Sequence, residues 1–138
     1  MHKHVNLLIL IVFLFSISVK GQDNSIENCS NLLNSGYVSD GQEYIAKLDQ
    51  NNRAKFHATF FGGSLYRIVA CTDIKNYNLQ LSIYDTEKNL LFSNTKYDYS
   101  NYWNFSFKST ISCIIELEID ADKQIKEKVM LLIGFKEK

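Results

Sequence analysis

RAKFHATFFGGSLYRIVACT, residues 53–72, narrows the possible folds of this chain more than any other stretch. Two alternating runs meet at a glycine pair. In the first, Ala54, Phe56, Ala58 and Phe60 share one parity, and Lys55, His57 and Thr59 hold the other. In the second, Tyr66, Ile68 and Ala70 fall together. Successive side chains of a strand point to opposite faces, so each run reads as a strand with one buried face. Gly62-Gly63 reaches positive φ without steric cost and predicts a hairpin between the two.

The remainder of 37–136 repeats the theme. QEYIAKLD (42–49), LQLSIYD (79–85), LLFSN (90–94), YWNFSFK (102–108), TISCIIELEID (110–120) and KVMLLIGFK (128–136) are short runs rich in β-branched and aromatic residues. Asn- and Asp-bearing turns separate them, because the chain has no proline. Eight or nine such strands predict an all-β, antiparallel β-sandwich over 36–136. IENCSNLL (26–33), inside a polar segment at 22–35, is the one short helical candidate.

Parity also bears on the aromatic stretch. Trp103, Phe105 and Phe107 share a face, and Tyr102, Asn104, Ser106 and Lys108 share the other. A fully buried Phe contributes about 1.5–3 kcal/mol, so three adjacent rings are expected in the core and not on a ligand platform. Cys113, Ile115, Leu117 and Ile119 form a matching inward set.

The chain opens with Lys3, an apolar run from Val5 to Ile17, and Val19-Lys20-Gly21 before Gln22. That is the layout of a secretory signal peptide spanning 1–21. The apolar run is shorter than the roughly 18–20 residues of a membrane span. After cleavage no apolar stretch is long enough to span. Of the 138 residues, 117 then remain, and loss of Lys3 and Lys20 leaves 13 basic against 15 acidic side chains, a net charge of −2. Without a block of Lys and Arg there is no electrostatic footprint for nucleic acid. The expected location is the periplasm, cell surface or extracellular space.

Three cysteines remain: Cys29, Cys71 and Cys113. In an oxidising compartment one pair is expected to close. Cys71–Cys113 is the first choice, with Cys29 bound to either one as the alternative. Three isolated cysteines without CxxC spacing, and one mature histidine, do not describe a zinc site. Asp73, Asn76 and Asn78 lack the carboxylate density of a calcium loop. No metal or cofactor is expected.

Catalytic groupings are sparse. His57 falls on the polar face of its strand. Glu116 and Glu118 sit on one strand about 6.5–7 Å apart at Cα and cannot flank a substrate bond from both sides. No catalytic residue is assigned. Tyr97, Tyr99 and Tyr102 flank a loop from which rings can stack on sugars or anchor a partner, and are the candidate ligand-binding residues.

The stretches FHATFFGGSLYRIVAC (56–71), LQLSIYDTEKNLLFSN (79–94), YWNFSFKSTISCIIELEID (102–120) and MLLIGFK (130–136) resemble small exported β-sandwich proteins of Gram-negative bacteria. The pattern is also similar to the bacterial pre-peptidase C-terminal domain, in the G-x-x-Y strand at Gly63 to Tyr66, the strand Leu79 to Asp85, and the late aromatic strand Tyr102 to Phe107. The resemblance implies a jelly-roll-like sandwich and a non-catalytic role. The expectation is therefore an exported binding or accessory module of the cell envelope, its partner a protein or glycan. A carbohydrate-binding module and a hydrolase with a cryptic site are the alternatives.

Overall fold

The computed structural model describes residues 25–33 and 36–137; the signal-peptide expectation at 1–21 lies outside the described residues. Among the described residues nine strands form, all but the first on the runs read from the sequence: β1 (Val38–Ser39), β2 (Tyr44–Lys47), β3 (Arg53–Phe60), β4 (Ser64–Thr72), β5 (Leu79–Asp85), β6 (Leu90–Ser93), β7 (Tyr102–Ser106), β8 (Ile111–Ile119) and β9 (Lys128–Glu137). All ladders are antiparallel. One sheet runs β1-β9-β4-β7, with β2 also paired to β9; the other runs β3-β8-β5-β6. The chain changes sheet at every connection except β1 to β2 and the β5–β6 hairpin. A double-sheet sandwich with this alternation is a jelly roll.

The two inner faces carry the parity sets read from the sequence. Phe56, Phe60, Ile68, Leu81, Ile83, Ile115, Leu117, Leu131 and Ile133 form the main core. Trp103, Phe105 and Phe107 face inward as expected, but only partly buried, because β7 is an edge strand. Phe92 on the opposing edge strand β6 meets Trp103 and Phe105 at ring-centre distances of 5.1 and 5.0 Å. These rings close that side of the sandwich.

Two expectations are corrected. Gly62-Gly63 does not close a hairpin: β3 pairs with β8 while β4 pairs with β7 and β9. The glycines form a corner between sheets. Gly63 has φ +89°, and a Cβ on Gly62 would lie 2.9 Å from the Lys108 carbonyl oxygen. Glycine is required there, but by the crossing and not by strand pairing.

The disulfide is Cys29–Cys71, with Cα atoms 5.9 Å apart, and not Cys71–Cys113. On β4 the inward parity belongs to Tyr66, Ile68 and Ala70, so Cys71 points to the outer face beside Val69. Cys113 is a buried free thiol on the inner face of the other sheet. The polar segment contributes the 3₁₀ helix Cys29–Leu33, which lays Cys29 and Leu33 over Val69, Cys71, Met130 and Leu132. The short helical candidate of the sequence is thus a lid on the outer face.

Candidate functional site

The second open side of the sandwich, away from β6 and β7, holds a cavity of about 730 Å³ between the sheets. Its origin is local. Ala58 and Cys113 are cross-strand neighbours on β3 and β8, flanked by the bulkier pairs Phe56–Ile115 and Phe60–Ile111. One row of small side chains on an inner face leaves space that the opposing Tyr66, Ile133 and Phe135 do not fill.

The mouth is shaped by a distortion in the edge strand. Ser39 stands opposite Gly134 and Tyr44 opposite Leu131, so Asp40 to Glu43 face only Ile133 and Leu132. The surplus residues bulge outward, as extra residues in one strand of a pair do. Asp40 holds the bulge: its carboxylate accepts from the Gln42 N–H (2.9 Å) and from the Tyr44 hydroxyl (3.2 Å). Gly41 supplies the positive φ, +83°. Burial, with the Asp40 carboxylate beside it, pushes the Tyr44 phenol up, which keeps it a donor.

The wall is therefore aromatic and aliphatic, and the rim is polar. Phe61, 59 % exposed, and Phe135, 37 % exposed, offer ring surface there. Gln42, His57, Thr59, Ser64 and Ser112 supply hydrogen-bonding groups. Thr59 and Ser112 hydroxyls lie 3.3 Å apart.

Chemically the rim is mild. His57 is exposed and stands opposite Ile114, whereas Cys113 points inward, so the two side chains leave their strands in opposite directions although both border the cavity. Burial pushes the Cys113 thiol up, and nearby Asp85 adds to the shift, so the group is a thiol and not a thiolate. Glu116 and Glu118 are held on the outer face by Arg53 at 3.6 and 3.3 Å, and Lys55 stands 3.7 Å from Glu116. Among the described residues no cluster of three or more His, Cys, Asp or Glu could hold a metal.

The three candidate tyrosines do not converge. Tyr97 stacks on Phe92 (5.8 Å) and meets Trp103 (4.5 Å), extending the aromatic closure. Tyr102 lies on the outer face under Arg67, whose guanidinium sits 4.7 Å from both the Tyr102 and Tyr37 rings. Tyr99 is 38 % exposed and lines a separate cleft with Tyr77. The large cavity was missed from sequence. Its signal was present in Ala58 and Cys113 as small members of inward sets, but their adjacency needed the β3–β8 register.

Fold and cavity together define a jelly-roll sandwich with a wide chamber whose lining is part apolar and part polar. No protein-family model matches the chain, and no curated protein matches it.

Proposed function

We propose that the protein is an exported, non-enzymatic binding module of the cell envelope that takes the apolar part of a ligand between its two sheets. The cavity carries this reading. Its volume falls in the range of ligand sites, and aromatic and aliphatic side chains beside an almost equal polar surface suit a compound with a hydrophobic body and several hydrogen-bonding groups. The ion pairs that occupy Glu116 and Glu118 support a non-catalytic role. The Cys29–Cys71 bridge supports export, since disulfides persist in oxidising compartments. The resemblance to pre-peptidase C-terminal domains points the same way.

The test uses 1-anilinonaphthalene-8-sulfonate as the probe. Saturable fluorescence enhancement is expected with the native protein. Ala58→Phe, which fills the small row, abolishes it while the melting temperature holds or rises. Phe61→Ala, at an exposed position, weakens it several-fold without affecting folding. Equal dye binding by both variants and the native protein would overturn the assignment of the cavity.

A further inference from the structure

One end of the sandwich carries a second recess, independent of the cavity. Three connections meet there: 73–78 between β4 and β5, 97–101 before β7, and 120–127 between β8 and β9. A cleft of about 290 Å³ is lined by Asn76, Tyr77, Asn78, Gln80, Tyr99 and Asp120. A shallower groove of about 540 Å³ continues from it, sharing Asn76 and Tyr77 and reaching Lys123 to Glu127.

The lining has a definite chemical character. Three carboxamides and one carboxylate stand beside two phenol rings. The exposed carboxamides of Asn76 and Asn78 make no hydrogen bond to another described residue. Along the whole recess the carboxylates of Asp73, Asp120 and Glu127 are matched by the ammonium groups of Lys75, Lys123 and Lys126. A polyanion or polycation therefore finds no net field of opposite sign.

The walls are fixed. The buried Asn94 side chain donates to the Leu79 and Ser100 carbonyls, both at 3.1 Å, and accepts from Leu81 N–H at 2.9 Å. It thus ties the strand carrying Gln80 to the loop carrying Tyr99. Tyr99 N–H in turn donates to the Asn94 carbonyl at 3.1 Å. Tyr99 is held at φ +53° and Asn76 at φ +69°. For a bulky residue such as tyrosine that left-handed conformation is unfavourable, so surrounding structure imposes it.

We infer that this cleft binds a neutral saccharide. One sugar ring packs its C–H face against the Tyr77 and Tyr99 rings. Its hydroxyls, each both donor and acceptor, pair with the carboxamides, which are also both. Further sugars of the chain run along the groove toward Lys123–Glu127.

Calorimetric titration with cellohexaose, maltohexaose, laminarihexaose and chitohexaose tests this. At least one is expected to bind saturably. Tyr99→Ala should raise its Kd about tenfold, the loss of one aromatic contact, and Asn78→Ala severalfold, both with unchanged melting temperature. Ala58→Phe, which blocks only the inter-sheet cavity, should leave the Kd unaltered. Absence of binding by all four hexasaccharides, or binding indifferent to both Tyr99→Ala and Asn78→Ala, would overturn the inference.

Discussion

Asn94, at 1 % exposure, uses its whole carboxamide: both N–H bonds and the oxygen are engaged. A buried polar group is stable only when so satisfied. Replacing it with alanine strands the Leu79 and Ser100 carbonyls and the Leu81 N–H together. Asn94→Ala is expected to cost about 3 kcal/mol, measured by urea unfolding. The residue sits in LLFSN, where its polarity marked the end of a strand, and nothing local distinguishes it from the exposed Asn51. Cys71 is the opposite case. Its outward direction was legible from the parity of Tyr66, Ile68 and Ala70, and that parity already opposed a bond to inward-facing Cys113.

The helix Cys29–Leu33 is too short to be stable alone and persists through what it covers. Leu33 packs on the outer face of β4 and β9, the disulfide anchors Cys29, and Arg67 donates to the Leu32 carbonyl at 3.1 Å. The bridge closes a sequence separation of 42 residues. By loop-closure entropy the double variant Cys29→Ser, Cys71→Ser should lose about 4 kcal/mol. Denaturant melts, with amide exchange at Val69 and Leu132 as a local readout, would check this. The β5–β6 hairpin is a second element set by a side chain. Asp85 accepts from the Glu87 and Asn89 backbones and from the Asn89 side chain at 2.8–2.9 Å, and the Asn89 bonds hold its carboxyl below the usual carboxylate range. That turn falls in the break the sequence shows between LQLSIYD and LLFSN, whereas the Gly62-Gly63 corner was misread, because positive φ serves a crossing as well as a hairpin.

At the level of the whole molecule, the jelly roll joins strands distant in sequence: β2 and β4 both pair with β9, and β3 pairs with β8. Long loops must close before such contacts form, so folding is expected on a millisecond-to-second scale despite the small size. Trp103, the single tryptophan, lies among Phe92 and Tyr97 and reports closure of the β6–β7 side. Stopped-flow fluorescence of the disulfide-intact protein should show this slow relaxation; a microsecond phase completing the change would contradict it. Local pattern determined eight of the nine strands seen among the described residues, the inward faces of those that alternate, and the all-β class, because the two-residue period of a strand acts on each residue locally. Which strands became neighbours, which cysteines met, and where Ala58 and Cys113 aligned to leave a cavity were decided only by tertiary structure. Register and sheet crossing depend on the packing of both inner faces at once, and no local stretch of the chain contains that information.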